Sequence, residues 1–81
     1  MRTATLSGTS VDTEALGHPF LPNNTVVVIN PTGSAANVTS SDAAASGFAT
    51  LIAVPALSAV EVNINARYLR ASAGTLIMLG N

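Results

Sequence analysis

A nucleophilic hydrolase site needs a serine, a histidine to take its proton and an acid to orient that histidine. The chain offers eight serines, one histidine and four carboxylates, so His18 is the base of any such triad. It opens the run His18-Pro19-Phe20-Leu21-Pro22. The two prolines fix φ and push their predecessors toward extended geometry. An extended segment is a poor place to hold a general base, and no Gly-x-Ser-x-Gly elbow accompanies it. Paired-carboxylate chemistry needs two titratable groups converging on one pocket. Asp12 and Glu14 share a face if the chain there is extended, Asp42 falls in a loop and Glu61 on the wet face of a strand. All four read as surface charges. Scattered carboxylates, a lone histidine and no cysteine leave no metal set and no disulfide. There is no phosphate-binding Gly-rich loop either. No catalytic residue, cofactor or metal is expected.

The only basic–aromatic cluster is Arg67, Tyr68 and Arg70. On a strand, Tyr68 and Arg70 share one face and Arg67 takes the other. One tyrosine and two arginines are too few for a groove that stacks single-stranded bases, and a net charge of −1 gives no footprint for a phosphate backbone. Arginine and tyrosine are, however, enriched where protein subunits meet. The interface candidates are therefore Arg67, Tyr68 and Arg70, with Phe20 and Leu21 from the proline-bounded segment.

The elements that position these residues are strands. Thr25–Asn30 holds four β-branched apolar residues in a row, which suit a pleated surface and resist a helix. Being apolar on both faces, it is expected to be buried on both sides. Pro31–Ser34 is a turn, Ala36–Ser40 a short strand and Ser41–Gly47 a loop or brief helical turn. In Phe48–Val54, Phe48, Thr50, Ile52 and Val54 share a face. Pro55–Ser58 breaks the run. Val60, Val62, Ile64 and Ala66 then alternate with Ala59, Glu61, Asn63 and Asn65, a half-buried strand with one wet face. Arg67–Ala71 continues it, Ser72-Ala73-Gly74 reads as a hairpin turn with a bulge, and Thr75–Leu79 is the last strand. No helical period of useful length appears. The fold class is all-β, a small antiparallel β-sandwich or barrel spanning residues 23–81. Residues 1–22 are an N-terminal strand or extended segment; the Asp12–Gly17 stretch suits a single helical turn. This segment has two possible fates, a strand and loop of the core or an arm lying on a neighbouring subunit.

Composition adds a physical problem. Only 9% of the 81 residues are charged, against roughly 25% in an ordinary soluble domain. Asp42 is the single charge between Ala15 and Val60. Small neutral residues, 14 Ala, 9 Thr, 8 Ser and 7 Asn, take the place of charge. A chain this short buries only about 60% of its unfolded surface and usually needs a staple. With disulfides and metal excluded, oligomerisation or docking onto a larger assembly remains. No signal-peptide pattern and no membrane-length apolar run is present, so no membrane partner is expected. The two N-glycosylation patterns, at Asn23 and Asn37, read as chance matches in an Asn- and Thr-rich chain.

The series Phe48–Val54, a break, Ser58-Ala59-Val60-Glu61-Val62-Asn63-Ile64 and Tyr68–Leu76 resembles the small β-sandwich virion proteins of tailed bacteriophages, head decoration (cement) proteins above all. The Ala/Ser/Thr/Asn-rich, cysteine-free composition is similar too. The resemblance covers the last 40% or so of the chain. It implies a structural role without catalysis: a homo-oligomer, with a trimer favoured, that binds the major capsid protein or other virion subunits at capsomer junctions on the capsid surface and stabilises the shell. A tail, fibre or spike component, or a small ligand-binding sandwich, is the alternative.

Overall fold

In the computed structural model, which describes residues 1–81, eight strands and one helical turn follow along the chain. They are β1 (Arg2–Leu6), β2 (Val11–Asp12), α1 (Thr13–Leu16), β3 (Thr25–Asn30), β4 (Ala36–Ser41), β5 (Ala49–Val54), β6 (Ser58–Asn63), β7 (Tyr68–Ala71) and β8 (Leu76–Gly80). Every pairing is antiparallel: β1 with β8, β2 with β7, β3 with β6 and β4 with β5. The chain is thus one long ribbon closed by the β4–β5 hairpin, each strand paired with its counterpart from the far end. The ribbon folds over, so β8 also pairs with β3 and β7 with β4. Two four-stranded sheets result, β1-β8-β3-β6 and β2-β7-β4-β5. This is the strand order of an eight-stranded jelly roll, and the all-β sandwich read from the sequence is what the chain forms.

Alternation sets which side chains enter the core. Val26, Val28 and Asn30 of β3, Leu76 and Met78 of β8, and Leu6 of β1 point inward from the first sheet. Ala36 and Val38 of β4, Val54 of β5, and Leu69 and Ala71 of β7 meet them from the second. Phe20 and Ile64, on connections, close the ends. The molecule measures 29 × 29 × 16 Å, its short axis matching two sheets about 10 Å apart.

Buried polar groups are satisfied by the connections. Asn30 is fully buried on β3 and serves four hydrogen bonds. Its amide donates to the carbonyls of Ser34 (2.8 Å) and Val54 (3.1 Å), and its oxygen accepts from the Thr32 backbone N–H (3.0 Å) and hydroxyl (2.6 Å). This side chain ties the β3–β4 turn to the end of β5. Thr13, also fully buried, donates its hydroxyl (2.7 Å) and its backbone N–H (2.8 Å) to the Arg67 carbonyl. At Gly80 a Cβ would stand 2.2 Å from Pro19 Cγ, so only glycine lets the His18–Phe20 segment close over β8.

Of the two fates open to residues 1–22, the structure has the first, a strand and loop of the core: the segment supplies an edge strand to each sheet, and Phe20 is 1% exposed. Asp12–Gly17 does form a helical turn, capped by the Asp12 carboxylate accepting from the Glu14 N–H at 3.0 Å. The alternation from Ala59 to Ala71 is not one strand. Ile64 exchanges hydrogen bonds with Asn23 (2.7 Å) and Asn24 (2.9 Å), and the chain then crosses to the other sheet before β7. Ser72–Gly74 likewise joins two sheets and is no hairpin, with Gly74 at φ 60. In β5 a register shift opposite Val38/Thr39 leaves Leu51 as an extra residue, so Leu51 and Ile52 both pack against the core. Finally, β3 is covered on one side only.

Candidate functional site

The sequence-predicted cluster lies on the outer face of the second sheet. Tyr68 and Arg70 of β7 point outward, opposite Ser41 and Thr39 of β4. Arg67, just before β7, reaches β2 and α1 instead. Its guanidinium forms a two-pronged bond with Asp12 (Nε–Oδ1 2.9 Å, Nη2–Oδ2 2.8 Å), and its Nε lies 2.8 Å from Glu14 Oε2. Asp12 and Glu14 are therefore not two free carboxylates; one arginine is paired with both, and the trio keeps a net charge of −1. The Arg67 hydrogen bonds, with help from the Glu14 N–H, hold the Asp12 carboxyl below its usual range. Asp12 in turn raises the Arg67 guanidinium further. Arg67 also stands 5.3 Å over the Tyr68 ring.

Arg70 is spent internally as well. Its guanidinium stacks 4.1 Å over the Phe48 ring and points Nη2 at the Ala44 carbonyl (3.4 Å), while its Nε is sealed without a partner. Together these contacts fasten the Ser41–Phe48 loop to the sheet. Of the remaining candidates, Leu21 is half-buried in the loop before β3, whereas Phe20 faces the core. Arg2 stacks 5.7 Å from Phe20 and donates to the carbonyls of Leu16 (3.0 Å) and His18. Arg67, Phe20 and Arg2 thus stitch the N-terminal third to the body, while Arg70 holds the Ser41–Phe48 loop. No three potential metal ligands come together.

The first sheet carries the feature that sequence reasoning missed. Its outer face repeats across the strands in two registered rows. One row reads Thr3, Leu79, Val27, Glu61 and the next Thr5, Ile77, Ile29, Ala59. At the centre stand Leu79, Val27, Ile77 and Ile29, four branched apolar side chains on the two middle strands. They belong to no part of the core cluster and are only partly covered by one another. Glu61 is the one charge in the two rows. At one end the face dips into a groove of about 310 Å³ walled by Thr25, Val27, Glu61, Leu79 and the two chain ends. The signal was present in the sequence: Val26–Ile29 and Leu76–Leu79 are apolar at odd and even positions alike.

A second exposed apolar group is Leu57, at the tip of the β5–β6 turn. It is 76% exposed and held at φ 53, a backbone region costly for a branched residue. Its N–H donates to the Thr32 carbonyl at 3.0 Å, which keeps the turn in that shape.

No known protein family, curated protein or solved structure matches the chain.

Proposed function

We propose that the protein is a non-catalytic structural subunit that works packed against other protein subunits. One observation carries this reading. The two central strands of the first sheet, β3 and β8, have the composition of strands buried on both sides, yet the chain itself covers only one side. Four apolar side chains meeting across two strands make a surface that gains free energy by being covered, at about 25 cal/mol per Å² of apolar area removed from water. An 81-residue chain with seven charged residues offers little else to keep such a face wet.

The particular form we put forward is a decoration protein on the capsid of a tailed bacteriophage, seated on the capsid protein and cementing the shell. Three things support it: the scarcity of charge, the likeness of residues 48–80 to such proteins, and an eight-stranded double-sheet architecture of the type viral capsid domains also use. The last is analogy at the level of fold. The test is to purify the protein from its native source and image what it travels with. Co-purification with virions, with density for a sandwich of 29 × 29 × 16 Å at capsomer junctions, supports the reading. Density on the tail refutes the decoration role, and recovery as a lone chain refutes both.

A further inference from the structure

We infer that the occupant of the uncovered sheet face is a second copy of the same chain, related by a two-fold axis that lies between the two sheets and runs along the strands. This inference rests on the proposed assembly role and names the partner of that face. The registered rows argue for it. Such an axis, placed between β8 and β3, lays each row on its own mate with the strand order reversed. Leu79 then faces Val27 of the second copy, and Ile77 faces Ile29. The apolar block covers itself, and no branched side chain meets a polar one.

The margins complement each other by the same operation. The β1 margin carries the hydroxyls of Thr3 and Thr5, and the β6 margin carries the Glu61 carboxylate, Ala59 and Asn63. Reversal puts the Thr3 hydroxyl, a donor, over Glu61 of the mate, an acceptor, and does so twice. The two Glu61 carboxylates end on opposite edges, well apart. An unrelated apolar partner would have to bring its own donor for Glu61. The groove adds a third fit. Met1 is 92% exposed at the β1 end of the face, one row beyond Thr3, and reversal carries it toward the Thr25–Glu61 wall of the mate's groove.

The broad outline of the molecule is 29 × 29 Å, which caps the buried patch at roughly 800 Å² per copy, so the pair falls at or below the size of a standard stable interface. Aligned sheet packing tolerates the crossing of about 30° that twisted sheets impose. The result is a four-layered body with the two cores flanking a third apolar layer. A contact of this kind is closed by its own symmetry and leaves the second sheet's outer face, with Asn37, Thr39 and Thr50, free on both sides of the pair.

Sedimentation velocity on the full chain over a wide concentration range tests this directly. The wild type is expected to run as a dimer. Ile77→Lys, which places two ammonium groups in the apolar centre of one interface, is expected to weaken self-association by roughly 100-fold or more. Thr50→Lys, on the opposite face, is expected to leave it intact. Circular dichroism of each variant checks that the sandwich still forms. If Ile77→Lys does not fold, Thr3→Arg provides the second route. It sets an arginine against Glu61 of the mate and is expected to tighten the dimer, while Thr3→Glu is expected to weaken it. A monomeric wild type, a trimer, or a dimer indifferent to Ile77→Lys or to the Thr3 pair overturns the inference. None of these outcomes bears on whether the chain is found on virions, so failure here and failure of the assembly role remain distinguishable.

Discussion

Replacing Asn30 should be among the most damaging single changes to the fold, although it removes no apolar surface. The side chain is fully buried and makes four hydrogen bonds, to Ser34, Val54 and twice to Thr32. Each such bond contributes about 1 kcal/mol net, and a buried partner left without its mate costs more. Without Asn30 the Thr32 hydroxyl can turn its single proton to the Ser34 carbonyl, 2.9 Å away, so the four are not independent. Asn30→Ala should therefore cost about 3 kcal/mol. That is a large part of the few kcal/mol a domain of this size holds, and lowers Tm by roughly 12–24 °C. Asn30→Asp separates the hydrogen-bonding explanation from simple loss of packing. An ionised carboxylate at this position faces the Ser34 and Val54 carbonyls, so its folded-state pKa is raised above the unfolded value. The folded form then binds more protons than the unfolded one, and stability falls as pH rises between those two values. The assay is urea unfolding of wild type, Asn30→Ala and Asn30→Asp at pH 3 and pH 7. The Asp variant should approach the wild type at pH 3 and fall to or below the Ala variant at pH 7. A loss under 1 kcal/mol for Asn30→Ala, or an Asp variant without that pH dependence, would refute the role assigned to this side chain.

Three further outcomes are expected. Gly80→Ala puts a methyl 2.2 Å from Pro19 Cγ and should cost about 1–3 kcal/mol in urea unfolding, relieved in part by a simultaneous Pro19→Gly; an unchanged midpoint would show that the segment over β8 moves aside freely. Deleting residues 1–22 removes an edge strand from each sheet together with Phe20, so dispersed amide resonances should vanish, whereas a folded remainder would restore the picture of a detachable arm; Phe20→Ala alone should cost about 3–5 kcal/mol. The Asp12 carboxyl, lowered from 3.8 mainly by its hydrogen bonds to Arg67, contributes stability that is present above that value and is lost as pH falls through its folded pKa; its titration followed by NMR should move up toward the ordinary midpoint in Arg67→Gln, and a midpoint that stays put would refute the pairing.

The parts of the fold that were legible in the sequence are those where one face is wet. From Ser58 to Asn63, Val60 and Val62 alternate with Ala59 and Glu61, and period 2 can mean only a half-buried strand. The turn at Pro31–Ser34 was legible because proline and glycine impose their own backbone. What alternation hides is a change of sheet. Asn65 tolerates a turn, but no Gly or Pro stands beside it and the apolar–polar alternation runs on, so the crossing between β6 and β7 looks like continued strand; it is fixed by Ile64 binding back to Asn23 and Asn24, some 40 residues upstream. The same distance effect concealed the Arg67–Asp12 pair, whose members lie 55 residues apart and meet only because β2 pairs with β7. Leu57 at positive φ was unreadable for a different reason, since nothing local favours leucine there. The uncovered face was half legible. The runs Val26–Ile29 and Leu76–Leu79 announce two buried sides, and only the three-dimensional arrangement reveals that one of them has no cover within the chain.

Whether that cover is protein is best settled by footprinting the chain as it is recovered from its native source. Carbene labelling of Val27, Ile29, Ile77 and Leu79, read by mass spectrometry, can be compared with Leu57 as an exposed internal standard and with the same chain diluted until it is monomeric. The four side chains should be protected in the native preparation and gain label on dilution, with Leu57 labelled in both. Equal labelling of the four in the native preparation and in the dilute monomer would contradict a subunit that works with this face covered.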